Sequence, residues 1–267
     1  MTNSFWIRQC EVIAGGKRFN IEELDIEFNV PFDNDEEPDM AMVTILNLSD
    51  SSINSIKKDQ NIILNAGYRG DVGTIFKGTL QKAYTRWSGV DKPTELTIGD
   101  GAQQWMTAHV NRAYGAGITA SAILRDLIGM FGLELGKLNL VNDLVYPKGR
   151  IIDSSLKDAI KQIVRETGTE FKISQGRIFI MPHVDGIPTG FLLKSDTGLI
   201  GSPEVIEKEE NGKTIKGYKV KMLLNHRITI NSIIVVESKT ANGTFRVLRG
   251  RHKCNTSDFL TEVEVEH

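Results

Sequence analysis

Val43-Thr-Ile-Leu46 runs on to Ile53-Asn-Ser-Ile56, and Val220-Lys-Met-Leu223 runs on, over the same span, to Ile230-Asn-Ser-Ile233. Each copy is followed by Gly-Thr and an aromatic strand, first Gly73-Thr-Ile-Phe76 and later Gly243-Thr-Phe245. Each closes on a similar strand, Thr94-Glu-Leu-Thr-Ile98 and Thr261-Glu-Val-Glu-Val265. Self-similarity of this kind is weighed before any local feature, because a missed repeat changes the reading of the whole fold. A β unit written twice, with other sequence between, points to a symmetric scaffold rather than a single-site enzyme.

The first third reads as β. A strand over Trp6 to Ile13 turns at Gly15-Gly16 and returns over Lys17 to Ile21. A Gly-Gly pair between two such runs is a hairpin signal, since both central residues need positive φ. Leu24, Ile26, Phe28, Val30 and Phe32 then alternate with polar residues and Pro31. Period-two alternation sets the five apolar side chains on one face. A charged loop, Asp33 to Asp39, separates this strand from one over Met40 to Leu48. A short helical turn, Asp50 to Ile56, capped by Ser49 or Asp50, precedes strands over Asn61 to Tyr68, Thr74 to Tyr84 and Thr94 to Gly99.

The middle changes character. Ile123, Leu124, Leu127, Ile128 and Phe131 make a helical stripe, capped by Thr119 or Ser121. Ser155-Leu-Lys-Asp158 is a capping-box variant that opens a second helix, with Leu156, Ala159, Ile160, Ile163 and Val164 on its buried face. A hairpin over Phe171 to Ser174 and Arg177 to Met181 follows. The last third returns to β, with strands over Val205 to Lys208, Tyr218 to Leu224, Ile228 to Glu237, Thr244 to Arg249 and Phe259 to Glu266. The fold class expected is α+β, mainly β: two similar β-barrel or sandwich modules, 1–110 and 186–267, separated by a small α/β insert, 111–185.

At 267 residues the chain exceeds one ordinary core. A net charge of -2 argues against a general nucleic-acid binder, which carries a basic excess. Cys10 and Cys254 are the two cysteines, too few for a disulfide framework, and no CxxC is present. Reduced thiols in a cytosolic product are expected. The first residues show no secretory signal, so if the protein acts outside a cell it is expected to leave by lysis or inside a particle. No apolar run approaches the about 20 residues that span a bilayer.

No constellation for chemistry emerges. Gly115-Ala-Gly117 opens a helix but lacks the strong preceding strand and later acidic residue of a dinucleotide site, and reads as a loop. The acidic run Asp33 to Asp39 has Pro38 and no glycine, unlike a calcium loop, and reads as a solvated tip. His109, His183, His226, His252 and His267 are scattered, and His252 with Cys254 supplies two ligands where a structural zinc needs four. Neither a Gly-x-Ser-x-Gly elbow nor a P-loop occurs. Trp6, Trp87 and Trp105 read as packing or interface residues ahead of a sugar platform. No catalytic, cofactor or metal residue is assigned, and no cofactor is expected.

The segment Asn61 to Tyr68 with Gly73-Thr-Ile-Phe-Lys-Gly78 resembles the first barrel of phage tail hub proteins, the central baseplate proteins of contractile and related tails. Leu46-Asn-Leu-Ser49, and later Leu223-Leu-Asn225 with Gly243-Thr-Phe-Arg-Val247 and Gly250-Arg-His-Lys253, fit the same pattern. The helix with Ser155-Leu-Lys-Asp-Ala-Ile160 and the hairpin to Pro182 resemble the family's inserted α/β region. The resemblance implies a homotrimer in which two barrels per chain form a six-unit ring. That ring would join a six-fold tail tube to a three-fold spike or tip. The implied partners are the chain itself, tail tube and distal tail proteins, the spike and the tape-measure protein, with DNA only passing through an acidic or neutral lumen. The place implied is the virion tail or baseplate of a phage, prophage or tail-like bacteriocin, assembled in the host bacterial cytoplasm.

No lysozyme or peptidase segment is seen in the sequence, so the chain is not expected to be an enzyme. Two rival readings are kept: a tail-associated cell-wall hydrolase or peptidase, and a tail-tip receptor- or sugar-binding module built around Trp87.

Overall fold

The computed structural model describes residues 7–33, 39–99, 108–131, 134–174, 177–182, 186–210 and 213–266. They form two compact units, a β unit made of 7–33, 39–99 and 186–266, and an α/β unit made of 108–182. The class is α+β, mainly β.

In the first half of the β unit, β1 (Arg8–Ala14) and β2 (Lys17–Asn20) form the hairpin expected at Gly15-Gly16, whose φ values are 59° and 74°. β3 (Ile26–Phe32) buries Ile26, Phe28, Val30 and Phe32 and exposes Glu27 and Asn29, as its alternation requires. β4 (Met40–Leu46) leads into α1 (Asp50–Ser55), whose N-cap is Ser49, accepting from the Ser52 N–H. β5 (Asn61–Tyr68), β6 (Asp71–Thr85) and β7 (Pro93–Gly99) complete this half.

The α/β unit follows in the chain. β8 (His109–Tyr114) pairs antiparallel with β12 (Arg150–Ser155), and β9 (Ile118–Thr119) pairs with β11 (Val145–Tyr146). A three-stranded sheet joins β10 (Glu134–Leu138) in parallel to β14 (Arg177–Met181), which pairs antiparallel with β13 (Glu170–Ser174). The same unit holds α2 (Ala120–Phe131) and α3 (Leu156–Glu166). Of the expected stripes, Ile123, Leu124, Leu127 and Ile128 join Leu156, Ala159, Ile160, Ile163 and Val164 in one core, and the side chain of Phe131 lies outside what the structure describes. Thr119 caps α2, accepting from Ala122 N at 3.3 Å, and Ser155 caps α3, accepting from Asp158 N at 3.1 Å. Both Arg150 guanidinium branches hold the Glu166 carboxylate, at 2.7 and 2.8 Å, and the Tyr146 hydroxyl donates to it at 2.7 Å.

The second half of the β unit comprises β15 (Ile187–Leu193), β16 (Leu199–Glu210), β17 (Lys213–Leu223), β18 (Ser232–Glu237), β19 (Asn242–Cys254) and β20 (Phe259–Glu266). One 13-stranded sheet carries the order β16-β17-β20-β19-β3-β4-β7-β6-β5-β1-β2, with β18 also on β19 and β15 on β18. The order β3-β4-β7-β6-β5 of the first half is thus repeated as β16-β17-β20-β19-β18.

Registers make the repeat residue-specific. Val43 lies opposite Leu96 and Val220 opposite Val263; Ile45 lies opposite Thr94 and Met222 opposite Thr261. These are the correspondences read from the sequence for these two pairs of strands. A β-bulge falls between Leu80 and Lys82 in β6, and the matching bulge falls between Val247 and Arg249 in β19. Asp59 and Asn231, two residues before the first β6 or β19 partner on each following strand, are both left-handed, with φ 66° and 60°. Each donates its N–H, at 2.9 Å, to a bulge carbonyl, Leu80 O or Val247 O. A left-handed non-glycine residue is uncommon, so its recurrence at one place in both copies marks a shared backbone device.

Two parts of the sequence repeat do not coincide in space. Ile53-Asn-Ser55 lies in α1, whereas Ser232-Ile233 opens β18 after turns closed by Ile228 N–H on Asn225 O and Ser232 N–H on Thr229 O. The expected strand over Ile228 to Glu237 is therefore shorter at its start. The Gly-Thr pairs are also displaced, because the β5-β6 hairpin extends to Tyr68 and Asp71 while β18-β19 ends at Glu237 and Asn242.

Ser155→Ala removes the α3 cap at a cost of about 1 kcal/mol. Amide hydrogen exchange in the first turn of α3 is expected to speed up by about five-fold, with β3 and β20 unchanged.

Candidate functional site

His252, Cys254 and Thr261 lie where the two halves of the β unit meet. Long β19 serves both. Arg246 to Asn242 pair with β18, while Gly250 to Cys254 pair antiparallel with β3, Gly250 opposite Phe32, His252 opposite Val30 and Cys254 opposite Phe28. Side chains cross with the backbone. Phe32 packs in the core of the second half, and Leu224, Cys254 and Phe259 pack in the core of the first. The Phe259 ring meets Tyr68 edge-on at 5.4 Å, and the Tyr68 hydroxyl donates to Phe259 O at 3.3 Å. Gly250 is needed for this approach. A Cβ there would stand 2.5 Å from Glu262 O and 2.7 Å from the Phe32 ring.

His252 sits under this junction, fully buried, its ring 5.0 Å from that of Phe32. Thr261 Oγ1 accepts the Asn225 N–H at 3.1 Å and lies 2.9 Å from His252 Nδ1, to which it can then donate. Burial first, and then the charge of His226, hold the His252 pKa down to about 3, so the ring is neutral. His226 is also lowered, by burial and then by Arg227, with Asp71 opposing. At the tip of the long hairpin Asp71 takes a bidentate fork from Arg227, at 2.7 and 2.5 Å. That hydrogen bonding holds the Asp71 carboxyl below the usual range. The pair is about half exposed, so its worth stays within about 1 kcal/mol.

The outer face beyond the junction is a charge ladder. Glu262 and Glu264 on β20 lie between Lys221 and Lys219 on β17 and Arg251 and Arg249 on β19. Arg249 forks onto Glu264 at 2.7 and 2.8 Å, and Arg251 Nε donates to Glu262 at 2.7 Å. Beside the ladder a groove of about 340 Å³ is lined by Asn29, Pro31, Asp33, Arg249 and Arg251. Both arginines are already engaged by β20 carboxylates, so this face mixes both signs.

Two strand edges of this sheet carry exposed apolar side chains. β5 covers β6 only as far as Thr79, and Asp59 and Gln60 bond Leu80. Beyond it Tyr84 and Trp87 are exposed. β16 ends the sheet path, paired on β17 alone, with Val205 exposed.

The residues weighed in the sequence fall elsewhere. Gly115 and Gly117 precede β9, and the N-terminus of α2 is occupied from within the chain. Asp143 accepts from Ser121 N at 2.9 Å and Oγ at 2.6 Å, placing a carboxylate where a phosphate would sit. The acidic run lies outside the described residues from 34 to 38, as do His183, His267, Trp6 and Trp105. His109 is exposed and 3.0 Å from Asp153. Among the described residues no three His, Cys, Asp or Glu side chains group to hold a metal. Cys10 and Cys254 are free and buried. Burial pushes both thiols up, Cys254 to about 11, which suppresses the reactive thiolate. Among the described residues no helix is long and apolar enough to cross a membrane.

No family model matches the chain, and no curated protein does. Solved structures do. The 43 kDa tail protein of prophage MuSo2 from Shewanella oneidensis is similar at a TM-score of 0.68 and 10% identity, over 97% of this chain and 96% of that one. A tail protein from Neisseria meningitidis MC58 gives 0.65 and 9%, over 98% and 97%. An E. coli component of the type VI secretion system, described as structurally similar to the T4 bacteriophage tail proteins gp27 and gp5, gives 0.58 and 9%, over 91% and 73%. The chain therefore has the fold seen in these tail proteins.

Two outcomes test the junction. With a folded pKa near 3 against 6.5, His252 takes up a proton on unfolding throughout that window. Stability is expected to fall as pH drops from 6.5 towards 3, by up to about 1.4 kcal/mol per pH unit. His252→Asn flattens that slope in urea titrations at stepped pH. Gly250→Ala drives a methyl into the Glu262 carbonyl and the Phe32 ring, costing about 1–3 kcal/mol, read as a lower urea midpoint at pH 7.

Proposed function

We propose that this chain is a structural tail-hub protein of a phage or phage-like particle. Its two β halves act as two tube-like modules, 1–110 and 186–267, with 111–185 as an insert. Three chains close a pseudo-six-fold ring joining the tail tube to the spike or tip. The observation that carries this reading is the duplicated strand order with matching bulges, in a fold shared over nearly its whole length with two tail proteins.

The role is non-enzymatic in this reading. Its support is the use made of the reactive side chains: His252, Cys10 and Cys254 are spent on packing. The partners are further copies of the chain, tail tube and distal tail proteins, the spike or tip and the tape-measure protein, with DNA passing through the ring. An acidic or neutral lumen would hold phosphates weakly.

Size exclusion with light scattering tests the reading directly. The purified chain is expected to elute at three times its 29.7 kDa mass. A monomer at every concentration would count against the ring.

A further inference from the structure

The internal junction shows how a second copy of the chain would dock. In the second half, β19 continues past its bulge and pairs with β3 of the first half. In the first half, the equivalent strand β6 also continues past its bulge, but the equivalent of β3 is β16, at the far end of the sheet. Both edges are therefore left without a strand partner among the described residues. We propose that the second half of β6 pairs antiparallel with β16 of a second copy, repeating the β19-β3 junction between chains. This rests on the ring reading above and gives it an interface.

Register follows from the aligned bulges. Gly250, Arg251, His252 and Lys253 correspond to Ala83, Tyr84, Thr85 and Arg86, through their shared partners on β20 and β7. Phe32, Pro31, Val30 and Asn29 correspond to Glu207, Ile206, Val205 and Glu204, counted from Asn29 opposite Met42 and Glu204 opposite Lys219. The junction pairs Lys253 with Asn29 and His252 with Val30. The interface then sets Arg86 opposite Glu204 and Thr85 opposite Val205 of the second copy.

The exposed residues fit that occupant. Val205 is 60% exposed where its counterpart Val30 is buried, and Trp87 is 73% exposed where the buried Cys254 stands in the other copy. Docking would bury both. Charge selects the pairing. The β6 edge carries Lys82 and Arg86, the latter also bonded to Glu95 at 3.1 Å, and the β16 edge carries Glu204, Glu207 and Lys208, with Glu207 3.6 Å from Lys216. Either edge meeting itself brings like charges together, whereas β6 meeting β16 brings opposites together. An interface of two different patches is heterologous, and repeated it closes a ring.

The test uses the full chain carrying Thr85→Cys and Val205→Cys, oxidised after size exclusion and run without reductant. Near-complete loss of the monomer band into dimer and closed trimer is expected, with the disulfide between positions 85 and 205 found between chains by mass spectrometry. Thr85→Cys with Ile200→Cys, out of register, is expected to stay uncrosslinked. Val205→Lys, on an exposed edge, is expected to shift the native mass to monomer with an unchanged circular dichroism spectrum. A trimer by light scattering that gives no such crosslink overturns this interface and leaves the ring standing. A chain monomeric at every concentration overturns the ring and the interface with it.

Discussion

Main-chain pairing between β19 and β3 is the contact on which the β unit depends. A hydrogen bond between strands contributes only about 1 kcal/mol net, but this pairing also fixes which side chains enter which core. Phe28 and Val30 face one cluster and Phe32, on the same strand, faces the other. Each such side chain contributes about 1.5–3 kcal/mol by burial. A shift of one residue would turn all of them outward. Gly250 and its close Glu262 and Phe32 neighbours hold the register sterically.

The bulges explain how one strand can serve two partners. An extra residue bends a strand and raises its local twist. In β19 the part before the bulge lies on β18 and the part after it on β3. A left-handed residue at Asn231 ties the preceding turn to that bulge, as Asp59 does on β6. Since both copies bend alike, both offer the later part of the long strand to a neighbour, and within one chain only the second copy has one among the described residues.

Electrostatics is divided by depth. Inside, His252 and the two cysteines are held in their neutral forms by burial. Outside, carboxylates on β20 are flanked on both sides by cations. The first arrangement removes reactivity, and the second pairs Arg249 and Arg251 with carboxylates of the neighbouring strand.

Strand alternation in Ile26 to Phe32, the stripe of α3 and the Ser155 cap were legible in the sequence because local periodicity and capping chemistry decide them. So was the repeat, where Val43 to Leu46 matches Val220 to Leu223 and Thr94 to Ile98 matches Thr261 to Val265. The Ile-Asn-Ser-Ile blocks read alike yet form a helix in one copy and a turn leading into a strand in the other, because the surrounding contacts differ. The pairing of β19 with β3, the burial of His252 and the exposure of β16 were decided only by the tertiary structure. A strand's sequence records which face is apolar; which backbone edge is occupied depends on residues far away in the chain.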